Sequence, residues 1–234
     1  MKQNQKIRPI ILCGGSGSRL LLSKNKMNIL PKQFIDFGGW TLFGRTLERI
    51  KSPLFDSPVI STNKKYVSQV RKFLKKYKIK DYKILVEPIK KNTGPAILST
   101  ALIKDIPDKQ PLMLFTADHL IEKISIFNKA INQNKSKLNE NNIFIFGIKP
   151  KSPTSDYGYF LTKKIKGNIN KVTRFIEKPK EAKAKKIIKK NGYWNSGMFY
   201  LRKDSIINNF KKYQPKIYRN CLNAVKKAKY KSNT

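Results

Sequence analysis

The architecture of this chain is set by residues 7–19, Ile7-Arg8-Pro9-Ile10-Ile11-Leu12-Cys13-Gly14-Gly15-Ser16-Gly17-Ser18-Arg19. The first seven of these residues are mostly apolar and predict a buried strand. The glycines that follow allow a tight turn whose backbone N–H groups can point at phosphates, and Arg19 adds a fixed positive charge. The turn is neither a Walker loop nor a complete GxGxxG fingerprint. Considered alone, it fits a plain strand-to-helix connection as well as a phosphate site.

Working outward from this turn, hydrophobic patterning predicts alternating strands and helices. Further strands are predicted at residues 59–61, 84–86, 111–116, 143–148, 159–164, 171–177 and 198–201. Helices are predicted at residues 42–50, 64–77, 95–103, 124–138, 181–190 and 205–229, the last one broken at Pro215. Alternation through the first 150 residues predicts an α/β fold, with a mixed, mostly parallel sheet and helices on both faces. Polar clusters follow three strands, where ligands bind in such sheets: residues 14–19, 87–93 and 118–119.

Length and composition favour a single domain spanning residues 1–234. The 234 residues are 39% hydrophobic, which is enough for a sizeable core. No apolar run reaches the roughly 18 residues of a membrane span, and residues 7–13 are not a signal peptide, because glycines and a charge follow them at once, so we expect a cytoplasmic protein with no membrane partner. Cys13 and Cys221 lack metal or redox spacing and predict two reduced thiols.

The net charge of +37 comes from 51 Lys and Arg against 14 acidic residues. Such an excess can indicate nucleic-acid binding. Only eight of the 51 are Arg, however, and the 43 Lys are spread along the whole chain. Because Arg is the usual residue for reading phosphates and bases, we rank a basic nucleic-acid binder well below an enzyme and expect no specific nucleic-acid partner.

The order of the motifs resembles the mannose-1-phosphate guanylyltransferase branch of the sugar nucleotidyltransferases. The glycine turn is followed by a lysine behind a proline, and five more blocks then come in the family's order. With the lysine block first, the six blocks after the glycine turn are Pro31-Lys32-Gln33-Phe34, Glu87-Pro88 with Asn92-Thr93-Gly94-Pro95-Ala96, Thr116-Ala117-Asp118-His119, Tyr157-Gly158-Tyr159, Phe175-Ile176-Glu177-Lys178-Pro179 and Trp194-Asn195-Ser196-Gly197-Met198-Phe199. The resemblance covers residues 7–201 and implies a Rossmann-like fold of the nucleotide-diphospho-sugar transferase type.

The reaction implied by the resemblance joins GTP and mannose 1-phosphate, giving GDP-mannose and pyrophosphate. It assigns the triphosphate to Gly14, Gly15, Gly17 and Arg19, and the charge developing at the α-phosphate to Lys32. It assigns a Mg²⁺ cofactor to Asp118, because Mg²⁺ prefers oxygen ligands.

Other residues are carried over from the same resemblance. Glu87 and Asn92 are implied in nucleoside binding. Gly158, Glu177 and Asn195 are implied in binding the sugar hydroxyls, and Lys178 in binding the sugar's phosphate. His119, the only histidine, is interpreted as structural or positioning, since an attacking phosphate anion needs no general base.

The sequence also departs from the family. The family's Trp-Pro pair is missing after Leu20, Lys91 stands for an Arg, and no segment matches the family's second metal-binding Asp. The resemblance therefore implies that residues 1–234 are a nucleotidyltransferase domain truncated at its C-terminal end, without the family's C-terminal β-helix or isomerase domain, and with slow or absent turnover. Two alternatives stay open: a remnant that binds nucleotide or a partner chain, as a homo-oligomer or with a complementing chain, and an enzyme for another base or sugar.

Overall fold

Strand residues 8–12, 59–63 and 111–116 are mostly buried, as a parallel sheet covered on both faces requires, whereas residues 83–87, at the sheet edge, are only partly buried. The computed structural model describes residues 5–15, 30–89, 92–165 and 169–230. Gly17 and Arg19, two of the predicted phosphate-binding residues, lie outside the described residues. The described part divides into two compact units, Met1–Ile143 with Tyr200–Thr234, and Phe144–Phe199.

The first unit is built on a parallel sheet in the order β3-β2-β1-β4. Its strands are β1 Arg8–Leu12, β2 Val59–Asn63, β3 Lys83–Glu87 and β4 Pro111–Thr116. Its helices are α1 Leu42–Arg49, α2 Val67–Lys76, α3 Thr93–Ala101, α4 Ile124–Asn134, α6 Lys203–Tyr213 and α7 Pro215–Lys226. The core is apolar and includes Ile10, Ile60 and Leu114, none of which is exposed.

The second unit is antiparallel where its pairing is defined. It contains β5 Ile143–Ile148, β6 Tyr159–Lys164, β7 Asn170–Ile176, α5 Glu181–Lys189 and most of β8 Tyr193–Arg202. Strands β6 and β7 form a hairpin, and β6 also pairs with β8, placing Tyr159 opposite Trp194. The core of this unit is formed by Tyr159, Ala184 and Ile187, against which Trp194 packs.

These observations confirm the predicted fold class, a mixed α/β fold with a mostly parallel central sheet. Element boundaries differ in places. The helix predicted at 64–77 begins with a 3-10 turn, Lys64–Tyr66, and the helix predicted at 205–229 is two helices separated at Gln214. The strand predicted at 198–201 begins five residues earlier, because β6 supplies a pairing edge for Tyr193 and Trp194. The assignment of residues 1–234 to one nucleotidyltransferase domain stays a prediction.

Candidate active site

Parallel strands bring three predicted site segments to one edge of the first unit's sheet. Gly14 and Gly15 come two and three residues after the end of β1, Asp118 lies two residues after the end of β4, and Glu87 is the last residue of β3. Because β1 pairs with β4 directly and is separated from β3 only by β2, the carboxyl ends of these strands form one continuous edge, where open α/β sheets bind ligands.

The start of the glycine turn is held by hydrogen bonds from its neighbours. The backbone N–H of Cys13 donates to the carbonyl of Ser61 at 2.7 Å, and the Thr62 hydroxyl donates to the carbonyl of Cys13 at 3.1 Å. The Gln33 amide donates to the carbonyl of Gly15 at 3.1 Å. The carbonyls of Cys13 and Gly15 therefore both have hydrogen-bond donors within the protein.

Gln33 is a further functional candidate, named in the sequence analysis only as part of the Pro31–Phe34 motif. Its side chain is 3% exposed, and its one strong donation couples the Pro31–Phe34 motif to the glycine turn. A glutamine between a lysine and a phenylalanine carries no sequence signal that it will be buried, so only the folded chain identifies this role.

Glu87 lies against the same turn. Its carboxylate Oε1 accepts a hydrogen bond from the Ser61 hydroxyl, and a Cβ added to Gly14 would lie 3.4 Å from that oxygen. The Asn63 amide donates to the Glu87 carbonyl at 3.4 Å. The structure thus brings Gly14 and Glu87 together, and a carboxylate of this kind can accept hydrogen bonds from N–H or O–H groups of a ligand.

Lys32 and Asp118 form an ion pair at this edge. Lys32 lies on the 3-10 helix Lys32–Phe34, which is fixed by Phe34, whose ring is 5.6 Å from Phe43 and 5.7 Å from Phe73. The Lys32 and Asp118 side chains are 34% and 23% exposed, so water and ligands can reach the pair. An ammonium held this way can exchange a carboxylate for a phosphate oxygen, since both are anionic acceptors.

The carboxylate of Asp118 fits a Mg²⁺ ion bound together with a nucleotide. Mg²⁺ keeps several waters and is commonly held by one or two carboxylates plus substrate phosphates. Among the described residues there is no group of three or more His, Cys, Asp and Glu side chains that could cage a metal by itself. The donor set at this edge therefore suits a metal delivered with the triphosphate, and not a free-standing metal site.

His119 follows Asp118 and is largely buried. Burial lowers the pKa of its imidazole below the ordinary value, and the positive charges of Lys32 and Arg49 act in the same direction, while Asp118 opposes them. The ring is therefore neutral at physiological pH. The carbonyl of His119 accepts a hydrogen bond from the Arg49 guanidinium at 3.0 Å, a contact that no pattern in the sequence predicts.

Asn92, the other predicted nucleoside contact, has an unusual backbone. Its φ and ψ are 68° and −179°, a region that is essentially restricted to glycine and costs an asparagine of order 1–3 kcal/mol. It immediately precedes α3, and its side chain makes no capping bond to that helix. Such strain is concentrated at functional sites, which supports a ligand-binding role for this exposed residue.

The second unit brings together the residues predicted to bind sugar phosphate. A Cβ added to Gly158 would lie 2.7 Å from Glu177 Oε2, and the Asn195 N–H donates to the Gly158 carbonyl at 2.7 Å. The Asn195 side chain bends back to accept from the Gly197 N–H at 3.1 Å. Lys178 follows Glu177 with a positive φ of 40°. The structure thus brings Gly158, Glu177 and Asn195 together, and a carboxylate beside an amide suits the hydroxyl groups of a ligand.

No helix in the described ranges is long and apolar enough to cross a membrane. The predicted cytoplasmic location stays a prediction.

This chain is similar to a family model and to several known proteins. Residues 8–233 match the model of the nucleotidyl transferase family. The alginate biosynthesis protein AlgA of Pseudomonas fluorescens is 34% identical over 97% of this chain and 48% of its own length. A mannose-1-phosphate guanylyltransferase of Escherichia coli is 34% identical over 95% of this chain and 50% of its own length. The chain thus spans about half the length of the curated relatives it matches.

Solved structures share the fold. A Helicobacter pylori structure described as mannose-6-phosphate isomerase superposes with a TM-score of 0.78 at 29% identity, covering 94% of this chain and 80% of its own. A Thermus thermophilus structure described as mannose-1-phosphate geranyltransferase gives 0.79 at 24% identity, covering 96% and 65%. With a family match that takes in nearly every residue, the chain belongs to the nucleotidyl transferase family.

Proposed function

We propose that this chain is a mannose-1-phosphate guanylyltransferase, which transfers GMP from GTP to mannose 1-phosphate to give GDP-mannose and pyrophosphate. The observation that carries the proposal is the Lys32–Asp118 pair beside the glycine turn, at the sheet edge where nucleotides bind in this kind of fold. The names of the relatives at 34% identity support the choice of GTP and mannose 1-phosphate.

In this reaction a phosphate oxygen of mannose 1-phosphate forms a bond to the α-phosphorus of GTP. The bond from that phosphorus to the α,β-bridging oxygen breaks, and pyrophosphate leaves. The attacking group is already an anion, so no general base is required. The protein's contribution is alignment and charge neutralisation.

The described residues divide these tasks. Gly14 and Gly15 let the backbone approach the triphosphate, while Glu87 accepts donors from the nucleoside. Lys32 leaves the Asp118 carboxylate and stabilises the charge that develops at the α-phosphate. Asp118 is then free to hold Mg²⁺, which when bound polarises the phosphoryl oxygens. Gly158, Glu177, Lys178 and Asn195 orient the sugar phosphate. Gly17, Arg19 and Asn92 are proposed as further nucleotide contacts.

The test is pyrophosphate release by the purified chain with each nucleoside triphosphate, combined with mannose 1-phosphate or glucose 1-phosphate. Lys32→Met removes the ammonium, and loss of one such stabilising group costs about 10²–10³ in kcat. Lys65→Met is the matched control, because Lys65 is an exposed lysine that also lies on a 3-10 helix. We expect Lys32→Met to lose that factor while Lys65→Met retains wild-type turnover.

The outcomes also separate the alternatives. Turnover with another base or sugar would keep the enzyme class and overturn the proposed substrates. Nucleotide binding without pyrophosphate release would identify a binding protein. Equal rates for the two lysine variants would remove Lys32 from the reaction.

A further inference from the structure

Arg49 is a buried cation that the reaction described above does not use. It is the last residue of α1 and is 1% exposed. Its guanidinium lies 5.5 Å from the centre of the Phe115 ring and donates one hydrogen bond, to the His119 carbonyl. Its Nε and Nη1 are buried and have no hydrogen-bond partner among the described residues.

Stability alone does not account for such a residue. Burying a charge is costly unless it is paired and hydrogen-bonded, and burial lowers the pKa of Arg49 to about 10, which still leaves it protonated at neutral pH. An apolar side chain of similar volume would fill the same space without that cost. The directed bond to the His119 carbonyl, the one that the Arg49 guanidinium makes within the described part of the chain, is therefore the feature that needs an explanation.

That bond reaches the turn that carries Asp118. Residues 117–119 leave the end of β4, where the Ala117 N–H donates to the Leu12 carbonyl at 3.2 Å. Lys32 binds the Asp118 carboxylate on this turn, and Arg49 binds the carbonyl of the next residue. The two cations come from elements that pack on each other through the edge-to-face pair Phe34–Phe43. Lys32 and Arg49 thus contact the turn at two consecutive residues, and the 3-10 helix and α1 that carry them pack on each other.

We propose that Arg49 is a positioning residue, which fixes the turn of residues 117–119 so that the Asp118 carboxylate is presented in one orientation to the metal–nucleotide complex. The inference rests on the proposed function, since it takes Asp118 as the metal ligand. Lys32 must release Asp118 when substrate binds, whereas Arg49 holds the backbone and can do so throughout the cycle. Outer residues that orient a metal ligand typically matter by 10- to 100-fold in metal affinity.

The experiment uses His119, the only histidine of the chain, as a reporter. Its ring signals in the NMR spectrum of the full chain are followed while Mn²⁺·GTP is added, since a paramagnetic ion bound at Asp118 broadens them. Affinity for GTP is measured in parallel with Mn²⁺ and in its absence. The variants are Arg49→Met, Arg49→Lys and the control Arg45→Met, which removes an exposed arginine from the same helix.

In the wild type and in Arg45→Met we expect broadening of the His119 signals at the same Mn²⁺·GTP concentrations. Arg49→Met should weaken Mn²⁺·GTP by about 10- to 100-fold while changing metal-free GTP little, and Arg49→Lys, which keeps a charge and a donor, should lose less. A residue that only supports the fold would weaken both forms of the nucleotide alike.

Three results would overturn the inference. One is wild-type Mn²⁺·GTP affinity in Arg49→Met. Another is an equal loss with and without metal. The third applies if Arg49→Met does not fold: a folded Arg49→Lys protein whose GTP affinity depends on Mn²⁺ as strongly as that of the wild type. Absence of any Mn²⁺ effect on His119 in the wild type would instead reject Asp118 as the ligand, and with it both this inference and the metal site of the proposed function.

Discussion

Gln33 shows how one buried side chain can connect two sequence motifs. Its amide is the donor that satisfies the Gly15 carbonyl, and its neighbour Lys32 pairs with Asp118. Replacing the amide by an apolar group of similar length would remove this hydrogen bond, at a cost of about 0.5–1.5 kcal/mol, since Gly15 is exposed and water can replace the donor. The shape of the glycine turn and the place of Lys32 would be disturbed together.

We therefore predict that Gln33→Met lowers the free energy of unfolding in urea by about 0.5–1.5 kcal/mol and weakens GTP binding. Gln133→Met, at an exposed position of α4, is the control and should change neither quantity. A Gln33→Met protein with weaker GTP binding but unchanged stability would show that the amide contacts the ligand and does not hold the turn.

His119 gives the folded chain a pH dependence whose sign follows from its environment. Burial lowers the pKa of the imidazole in the folded state below its ordinary value of 6.5, so near that pH the unfolded chain binds more protons than the folded one. Stability therefore rises with pH in this range. It is fully present above about pH 7 and is lost as the pH falls through 6.5 toward the folded-state pKa.

The expected result is a melting temperature that falls between pH 7 and about pH 5.5 in the wild type and falls less in His119→Asn. The comparison is clean because the chain has no other histidine, the one side chain whose ordinary pKa lies in this window. Parallel melting curves for the two proteins would show that His119 is solvated in the folded state.

At the scale of elements, four of the described residues other than glycine have positive φ, and they fall into two groups. Lys78 and Asn191 follow α2 and α5 and make the paired bonds of a Schellman motif, with Ile79 N–H to Leu74 and Gly192 N–H to Ile187. Asn92 and Lys178 end no helix. Both are among the residues predicted to bind ligands, and backbone strain without a local structural role is concentrated at functional sites.

The residue before strand β6, Gly158, lies in a crowded place. A methyl group there would meet Glu177 Oε2 at 2.7 Å and Phe175 Cζ at 2.9 Å, both at the ends of exposed side chains that can move. Gly147 on β5 is equally crowded, but its added methyl would meet Tyr193 Cβ at 2.9 Å, close to the backbone. A methyl group at Gly158 can thus be accommodated by movement of side-chain ends, whereas one at Gly147 requires a shift of atoms next to the backbone.

Gly158→Ala should displace Glu177 and raise the KM for mannose 1-phosphate by about tenfold, equivalent to about 1.4 kcal/mol, with little loss of stability. Gly147→Ala should instead lower stability by about 1–3 kcal/mol and leave the KM unchanged. Steady-state kinetics and urea denaturation of both variants test the pair. A wild-type KM in Gly158→Ala would remove Glu177 from sugar binding.

The elements also show what sequence can predict here. Continuous apolar runs at residues 9–12 and 111–115 form most of β1 and β4, so the two strands and the polar residues that follow them could be predicted from pattern alone. The first half of β8 does not, because Trp194-Asn195-Ser196-Gly197 lacks alternation and becomes strand through pairing with β6. The burial of Gln33 and Arg49 could not be predicted from the sequence either, because the burial of a polar side chain depends on neighbours that are distant in sequence.

For the whole molecule, the dominant physical property is the net charge of +37. Like charges at this density repel one another and destabilise the compact state, and the ion pairs of the described residues engage only a small part of the 51 Lys and Arg. The same charge attracts an anionic nucleotide from solution. Salt should therefore act on stability and on ligand binding in opposite directions.

We predict that raising NaCl from about 0.01 M to about 1 M, which shortens the Debye length from about 30 Å to about 3 Å, raises the melting temperature and weakens GTP binding. Relief of about 1 kcal/mol of repulsion corresponds to about 2–4 °C for a chain of this size. Guanosine, which carries no phosphate, is the control and should bind independently of salt. A melting temperature that falls with salt would show instead that attractive ion pairs outweigh the repulsion, and that the lysines are arranged to stabilise this fold.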